Sequence, residues 1–348
     1  MIVHLFPQEK FTVSFIKFIN ENFNIEENTF LLYGYNNTYK KDEVEQYKNI
    51  EYINSKMDIV KLLKKIYIAD KIILHSLFLP NWMLYVLTLN KRLLKKCNWV
   101  IWGGDLYDYK FRDINLKSNI RELLRKYIIK NIGGLITHIK GDYELANLWY
   151  GAKGEYIYSF MYPSNLYKDN IVNKYEKNSS VYIQVGNSAD PTNNHLDIFK
   201  KLEVYKNEDI IIICPLAYGN ERHRDEVIML GKELFGNKFK AQIDFMELQE
   251  YLQVLQNIDI AIFAHERQQA VGNITSLLGY GKKVYIRSDI TTWEFCEEHN
   301  LKVFDTKGDF TELLNLISEG DRDNNVRNVK EYFSEKKLKS DLEKIICN

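Results

Sequence analysis

Two loops of the sequence carry residues suited to binding a diphosphate. The first, IQVGNSADPTNNH (183–195), leaves an apolar run through Gly186, and the polar residues Asn187 and Ser188 follow. A glycine turn that leads to a helix N-terminus presents backbone amides, and the helix dipole favours an anion there. We expect Thr192 to be the N-cap of the following helix. The pattern therefore indicates an anion site, although a capped helix without a ligand would have the same sequence.

The second loop, HERQQAVGN (265–273), places five large polar residues directly after an apolar run. At the carboxyl end of a buried strand these residues would lose water unless they met a ligand. Arg267, near a helix start that contains Gly272, is suited to binding phosphate, and Glu266 to accepting from ribose hydroxyls. The amide side chains suited to reading a sugar or a base are Gln268, Gln269 and Asn273. The alternative is a surface loop with a structural ion pair.

Two further residues are candidates for proton transfer. Asp105 follows a glycine pair in IWGGDLYDYK (101–110), and a carboxylate on such a bend is well placed for a general base. Aspartate after glycine is also a common helix N-cap, so both roles stay open. His75 ends another apolar run, where a lone histidine is more often structural than catalytic.

Short apolar runs alternate with helix-periodic stretches along the whole chain, which predicts an α/β fold with mostly parallel sheets. The first series of runs is 2–6, 29–35, 71–76, 98–103 and 134–139. The second series is 181–186, 209–216, 258–264 and 282–287.

A polar stretch at 162–180 separates the two series and indicates a linker. We expect two Rossmann-like doubly wound domains, 1–165 and 176–328, and one terminal helix at 329–348. In such folds ligands bind beyond the carboxyl ends of the strands, so we expect the ligand crevice between the two domains.

Composition excludes several classes of protein. The 348 residues include 47 basic and 47 acidic ones, so no overall field favours nucleic acid. The four cysteines are far apart without a CxxC pair, which indicates a reducing compartment and no zinc site. No apolar run reaches the roughly 18 residues of a membrane span, and we expect a cytoplasmic location.

Two helix-periodic segments, 82–99 and 112–130, concentrate basic residues beside aromatic and aliphatic ones. This pattern is typical of docking on an anionic membrane surface, and a solvated helix face is the alternative. The basic residues concerned are Lys91, Arg92, Lys95, Lys96, Arg121, Arg125, Lys126 and Lys130.

Five segments, taken together, resemble a known family. They are VIWGGDLYDY (100–109), VGNSADPTNNH (185–195), CPLAYGN (214–220), YLQVLQNIDIAIFAHERQQAVGN (251–273) and TTWEFC (291–296). In order and spacing the chain is similar to the bacterial transferases that move 4-acetamido-4,6-dideoxygalactose (Fuc4NAc) from its TDP donor to a lipid-linked saccharide, as in enterobacterial common antigen synthesis. The resemblance covers nearly the whole chain.

The resemblance implies a B-type glycosyltransferase that is inverting, uses neither a metal nor another cofactor, and attaches peripherally to the cytoplasmic membrane. It implies an acceptor site on the N-terminal domain and a nucleotide-sugar site on the C-terminal one. By the family's motifs, Asp105 and His75 become candidates for the base. The residues that would contact the donor are Gly186, Asn187, Ser188, Tyr218, Arg267, Gln268, Gln269 and Gly272.

The chain departs from the family's pattern at three places. Ala270 and Ser76 stand where the family has glycine, and His265 with Glu266 stands where apolar residues are expected. These departures leave the sugar and the acceptor open.

The function expected from the sequence is transfer of a Fuc4NAc-like sugar from a TDP-sugar to a lipid-linked or surface-polysaccharide precursor. A B-type transferase with a UDP- or GDP-sugar, or a non-catalytic nucleotide-sugar-binding module, remains an alternative. A nicotinamide oxidoreductase would require a GxGxxG motif, and the sequence has none.

Overall fold

The computed structural model of the protein describes residues 1–9, 11–34, 41–169 and 179–347, with the side chains of Lys41, Lys56 and Met57 left undescribed. The chain divides into two units, the first formed by 1–166 with 335–348 and the second by 167–334. Residues 170–178 of the predicted linker, with the predicted start of the second domain at 176, lie outside the described residues.

The first unit contains a parallel sheet with the strand order β3-β2-β1-β4-β5-β6-β7. Its strands are β1 Ile2–Pro7, β2 Asn28–Tyr33, β3 Ile50–Tyr52, β4 Lys71–His75, β5 Cys97–Val100, β6 Gly134–Ile136 and β7 Glu155–Ile157. Its helices are α1 Thr12–Asn22, α2 Lys56–Ile68, α3 Asn81–Thr88, α4 Lys91–Lys96, α5 Gly104–Phe111, α6 Leu116–Asn131, α7 Lys140–Tyr150 and, from the end of the chain, α14 Glu335–Ile346.

The second unit contains a parallel sheet with the strand order β10-β9-β8-β11-β12-β13. Its strands are β8 Val181–Val185, β9 Ile210–Pro215, β10 Phe239–Gln242, β11 Ile260–Phe263, β12 Lys283–Ile286 and β13 Phe304–Asp305. Its helices are α8 His195–Leu202, α9 Glu221–Phe235, α10 Leu248–Asn257, α11 Val271–Gly279, α12 Thr291–Glu298 and α13 Glu319–Tyr332.

Each sheet has one point at which its strand order reverses. In the first unit the point lies between β1 and β4, and in the second between β8 and β11. The loops that leave such a strand pair diverge to opposite faces of the sheet and open a crevice at the carboxyl edge. The two loops singled out in the sequence, 183–195 and 265–273, follow β8 and β11 and therefore meet at this point of the second sheet.

The central strands consist of apolar residues because helices cover both sheet faces. Residues Val3, Leu5, Ile72 and Leu74 belong to the core of the first unit, and Ile183, Ile212 and Ile262 to that of the second. The predicted α/β class with two Rossmann-like domains is confirmed.

Two of the predicted helical segments differ from the structure. The segment 329–348 contains the end of α13 and then α14, because the helical run stops at Phe333. The segment 82–99 contains α3, α4 and the start of β5. Within the described part of the chain, no helix is long and apolar enough to span a membrane.

Candidate functional site

The turn after β8 requires glycine at position 186. Gly186 has a φ of 68°, and a Cβ there would lie 2.4 Å from His195 Nε2 and 2.8 Å from Asn193 Oδ1. The amide of Asn187 donates to Asn193 Oδ1 at 3.0 Å. The chain therefore turns sharply against the start of α8, and an added side chain would collide with it.

The predicted N-cap of α8 is wrong. A single 3₁₀ turn at Pro191–Asn193 precedes the helix, and Asn194, in the left-handed conformation with a φ of 53°, occupies the N-cap position. Thr192 lies inside that turn, where its amide and hydroxyl donate to Asp190 Oδ1 at 2.9 and 2.7 Å. The Asp-Pro-Thr sequence favours this local hydrogen bonding over a simple cap.

Gln269 joins the two loops that meet at the reversal point. Its Nε2 donates to Asn187 Oδ1 at 3.1 Å and to Ser188 Oγ at 3.3 Å. Its Oε1 lies 3.3 Å from the Thr192 hydroxyl oxygen, whose single proton is donated to Asp190 at 2.7 Å. One side chain from the loop after β11 thus bonds to two residues of the loop after β8 and contacts a third, as expected from sequence positions that share one crevice.

Arg267 forms an ion pair with Asp190, with 3.3 Å between Nη2 and Oδ2. Burial raises the pKa of the Asp190 carboxyl, but the bonds from Thr192 and the charge of Arg267 outweigh it and hold the pKa below its usual value. The carboxylate is therefore ionised near neutral pH. The anionic partner of Arg267 in this structure is thus the Asp190 carboxylate.

The other predicted donor residues lie around this network. Tyr218 accepts from Asn187 Nδ2 at 3.1 Å, and Asn273 donates to the Tyr251 hydroxyl at 2.9 Å. Glu266 accepts from Asn194 at 3.4 Å. The Gln268 side-chain oxygen is buried and has no hydrogen-bond partner within the described part of the chain, and Gly272 lies in the first turn of α11.

Sequence reasoning missed Asp190, Asn193 and Tyr251. Asn193 is wholly buried and links the amide of Asn187 to the ring of His265, whose Nε2 lies 2.8 Å from Asn193 Oδ1. Because that oxygen also accepts from Asn187, the His265 ring must donate from Nε2. Burial, with the charge of Arg267 adding to it, lowers the pKa of His265 to about 3, so the ring is neutral. His265, which stands where the family's pattern has an apolar residue, thus orients the Asn193 side chain.

Both positions where the chain lacks the family's glycine have left-handed backbone. Ala270, the N-cap residue of α11, has a φ of 57°, and Ser76 has a φ of 79°. Glycine adopts this conformation without strain, and other residues do so at a cost. Ala270 and Ser76 therefore differ from the family's glycines in residue type but have the left-handed backbone conformation that glycine favours.

In the first unit, Asp105 is enclosed by donors. Its Oδ2 accepts from the amide of Leu77 at 2.8 Å and from Trp99 Nε1 at 2.7 Å, and its Oδ1 accepts from the amide of Trp102 at 2.9 Å. The side chain is wholly buried, and Gly103, with a φ of 78°, holds the N-cap position of α5. Asp105 is thus not the N-cap, and its carboxylate connects the loop after β4 to the end of β5.

His75 belongs to a buried chain of hydrogen bonds. Its Nδ1 lies 2.8 Å from the Tyr162 hydroxyl, and its Nε2 lies 3.1 Å from His4 Nδ1. His4 Nε2 lies 3.1 Å from Asn28 Oδ1, and Asn28 Nδ2 donates to the carbonyl of Asn24 at 2.9 Å.

The Asn28 side-chain amide determines which atom donates in each hydrogen bond of this buried series. Since its nitrogen donates to a carbonyl, its oxygen must accept from His4, which leaves His4 Nδ1 to accept from His75 Nε2. His75 Nδ1 then accepts from Tyr162, whose oxygen in turn accepts from Trp102 Nε1 at 2.8 Å. Burial lowers the pKa of His75 well below its usual value, so the ring is neutral with both nitrogens engaged.

One of the predicted membrane-facing cations is internal. Arg125 is wholly buried, paired with Glu122 at 3.0 Å, and donates to the carbonyls of Leu77 and Asp105. It holds the loop after β4 against α5 and so cannot contact a membrane. The periodicity of 112–130 correctly predicted a helix, but it did not separate the inward cation from the outward ones.

The chain was compared with known families and solved structures. Residues 7–323 match the family described as 4-alpha-L-fucosyltransferase, glycosyl transferase group 56. Among solved structures it is similar to Anabaena Alr3699/HepE in complex with UDP, at 13% identity over 100% of both chains with a TM-score of 0.70. A glycosyltransferase from Rickettsia africae gives 12% identity and a TM-score of 0.68, over 99% of this chain and 97% of that one.

A further similar structure is WaaG, a glycosyltransferase involved in lipopolysaccharide biosynthesis, with 10% identity, a TM-score of 0.62, and coverage of 99% and 98%. At these identities the likeness of the solved structures establishes the fold. The family match covers most of the chain, including both loops of the second unit and the Asp105 segment. The protein is a glycosyltransferase of the B-type fold and belongs to the 4-alpha-L-fucosyltransferase family, glycosyl transferase group 56.

Proposed function

We propose that this glycosyltransferase moves a deoxyamino sugar of the Fuc4NAc type from a TDP-sugar to a lipid-linked or surface-polysaccharide precursor, with inversion and without a metal. The observation that carries the proposal is the side-chain network at the reversal point of the second sheet, which joins the GNS turn to the RQQ loop through Gln269. These are the segments by which the sequence resembles Fuc4NAc transferases.

The donor diphosphate binds, in this proposal, where Arg267 now contacts Asp190. A diphosphate offers more charge and more acceptor oxygens than one carboxylate, so the guanidinium exchanges its partner when the donor enters. The first amides of α11 follow directly, and a helix N-terminus favours negative charge. Gly272 leaves that first turn without a side chain, which permits close approach of the phosphates.

The sugar and the base contact the amide side chains around the diphosphate site. Asn187, Gln268 and Asn273 supply donors and acceptors, and Tyr218, whose side chain is half exposed, supplies an aromatic face. Gln268 has a buried oxygen that a ligand hydroxyl would satisfy.

The transfer needs one base for the acceptor hydroxyl and stabilisation of the departing diphosphate. In this proposal Arg267 and the α11 amides stabilise the departing diphosphate. Asp105 and His75 remain the candidates for the base that the sequence suggests, and the polar atoms of both side chains are hydrogen-bonded within the protein. Among the described residues, no three His, Cys, Asp or Glu side chains are grouped to hold a metal ion.

Attachment to the cytoplasmic membrane surface is part of the proposal, and α6 supports it. The helix exposes an apolar stripe at spacings of four, three and four residues, namely Leu116, Ile120, Leu123 and Tyr127. Exposed cations accompany the stripe, namely Lys117, Lys126 and Lys130. Such a face is typical of a helix that lies in the interface of an anionic membrane.

Calorimetric titration with TDP, UDP and GDP, with and without magnesium, tests the donor assignment. We expect selective, magnesium-independent binding of TDP, and we expect Arg267→Ala to weaken it at least tenfold, since a charged hydrogen bond to phosphate is worth about 1.5–3 kcal/mol. Arg327→Ala, which removes an exposed arginine of α13, is the control.

The possible outcomes separate the proposal from its alternatives. Unchanged TDP affinity in Arg267→Ala would show that Arg267 does not bind the diphosphate. Selective binding of UDP, the nucleotide present with Anabaena HepE, would retain the reaction and change the donor. Binding of a nucleotide sugar without any release of the nucleotide would favour a non-catalytic module.

A further inference from the structure

The loop after β9 is fastened to the loop after β8. Ala189 and Gly219 form an isolated parallel bridge. In it the Ala189 amide donates to the Tyr218 carbonyl at 2.7 Å, and the Asn220 amide donates to the Ala189 carbonyl at 3.0 Å. Gly219 has a φ of 121°, and a Cβ there would lie 2.6 Å from the carbonyl carbon of Ala189. The bridge therefore holds the start of α9, which follows Asn220, close to Asp190, which follows Ala189.

His223, in the first turn of α9, pairs with His195 at the start of α8. Their ring centroids are 5.4 Å apart, and His223 Nε2 lies 3.2 Å from His195 Nδ1. The Asn220 side chain fixes this turn, because its oxygen accepts from the His223 amide at 2.9 Å. A contact of this length between two ring nitrogens requires a proton on one of them, so one imidazole donates to the other.

Of the two rings, only His223 can gain a proton near neutral pH. His195 is wholly buried, and burial, with the charge of His223 adding to it, lowers the pKa of His195 to about 3. His223 is half-buried, so its ring keeps some contact with water. A protonated His223 donates from both nitrogens, and His195 Nδ1 is then the acceptor for His223 Nε2. The neutral His195 ring thus stabilises a positive charge on His223.

Two carboxylates act on His223, and each already has a cation. Burial lowers the pKa of the His223 ring below its usual value, and the charges of Glu226 and Asp190 oppose this shift. Glu226 pairs with Arg222 at 3.2 Å, and Asp190 pairs with Arg267 at 3.3 Å. The guanidinium groups weaken the effect of the carboxylates on the histidine. The His223 ring is therefore mostly neutral at about pH 7 in the free protein.

Donor binding, as proposed above, changes the charges around this pair of rings. The diphosphate takes Arg267 as its partner, so the Asp190 carboxylate loses its cation while about two further negative charges enter the site. The Asp190 charge raises the pKa of all three histidines near the turn, namely His195, His223 and His265. His195 and His265 are wholly buried and stay neutral, so His223 is the histidine that can respond.

We propose that His223 takes up a proton when the donor diphosphate binds and becomes the second cation of the donor site, after Arg267; the inference rests on the proposed function. The proton comes from the solvent and returns to it when the nucleotide leaves. The charged ring balances the Asp190 carboxylate that Arg267 has released. His223 is thus a positioning residue, which stabilises the occupied donor loops and contacts no reacting atom.

The proposal gives the donor affinity a definite dependence on pH. Because the complex binds more protons than the free protein, the affinity is highest below the pKa of free His223 and decreases as the pH rises toward the pKa in the complex. Uptake of one full proton changes the affinity about tenfold per pH unit. Above the pKa in the complex, His223 is neutral in both states, and the affinity no longer depends on its titration.

Calorimetric titration with TDP-Fuc4NAc at about pH 7, in buffers of different ionisation enthalpy and without acceptor, measures the proton uptake. Both phosphates of this ligand are diesters and stay ionised, so the ligand itself contributes no proton. We expect the wild type to take up about half a proton or more per donor bound. His223→Gln should bind the donor without uptake. His138→Gln, at a half-buried histidine of the first unit, is the control and should keep the wild-type uptake.

The affinities supply a second readout, which a purely structural role of His223 would not produce. We expect the wild type to bind the donor about tenfold more tightly at about pH 6.5 than at about pH 8.5, and His223→Gln to change less than about twofold. At the higher pH the two proteins should bind equally, because His223 is then neutral. Asp190→Asn removes the carboxylate but keeps the size of the side chain, and it should bind the donor with less proton uptake.

The outcomes separate this inference from the proposed function. Donor binding without proton uptake in the wild type would overturn the inference and leave the donor assignment standing, and so would full uptake in His223→Gln. Full uptake in Asp190→Asn would overturn the pairing of His223 with this carboxylate. Absence of TDP-Fuc4NAc binding to the wild type at either pH would contradict the proposed donor, and the inference with it.

Discussion

Replacement of Ala270 by glycine should stabilise the second unit. Ala270 has a φ of 57° and a ψ of 24° at the N-cap of α11, and a non-glycine residue in this conformation costs about 1–2 kcal/mol. Glycine is also a better N-cap than alanine. Against these gains, glycine makes the unfolded chain more flexible, which costs about 0.4–1 kcal/mol. The expected net gain is about 0.5–1 kcal/mol, or roughly 2 °C in the melting temperature of a unit of this size.

Thermal and urea unfolding of wild type, Ala270→Gly and Ala217→Gly would measure this difference. Ala217 is an exposed loop residue of the same unit and is not among the described residues with positive φ. Ala217→Gly should therefore show only the unfolded-state cost, a loss of about 0.4–1 kcal/mol. If both variants lost stability to the same extent, the argument from left-handed backbone at position 270 would be refuted.

Two further predictions follow from burial and exposure. Burial lowers the pKa of His265 to about 3, so as the pH falls below the unfolded pKa of about 6.5 only the unfolded chain gains a proton, and the free energy of unfolding decreases. Between about pH 7 and 5.5, the free energy of unfolding in urea should therefore fall by about 1 kcal/mol less in His265→Gln than in the wild type. An equal fall in the two proteins would contradict this. Leu123, which is 68% exposed on α6, should contact lipid, so Leu123→Ser should weaken sedimentation with vesicles that contain anionic lipid. Leu316→Ser, at a leucine of the second unit that is 93% exposed, should not, and equal losses would argue against the α6 surface.

The interior of both sheets could be predicted from sequence, whereas their edges could not. Each predicted apolar run overlaps a central strand, because a strand covered on both faces must be apolar throughout. The strands that were missed, β3, β7, β10 and β13, lie at the four sheet edges. Their side chains are mostly half exposed, as in β3 and β13, so the apolar signal is weak there.

The two loops proposed to bind the donor, 183–195 and 265–273, stand out in the sequence because their polar residues interrupt an otherwise apolar pattern. What the sequence did not reveal was which residues support them. Asn193 and Asp190 lie within the stretch 183–195, but their roles depend on contacts with His265 and Arg267, more than 70 positions away along the chain.

The contacts of the donor loops divide into a fixed part and an exchangeable part. Asn193 and Gln269 each make several hydrogen bonds to other residues of these loops, and these bonds give the loops their shape without a ligand. The pair of Arg267 and Asp190 has one contact, of 3.3 Å, between partly exposed side chains. In the proposed function a diphosphate, which offers more charge and more acceptor oxygens, replaces this carboxylate while the surrounding network keeps its geometry. In that proposal the ion pair keeps the guanidinium in place before the donor binds.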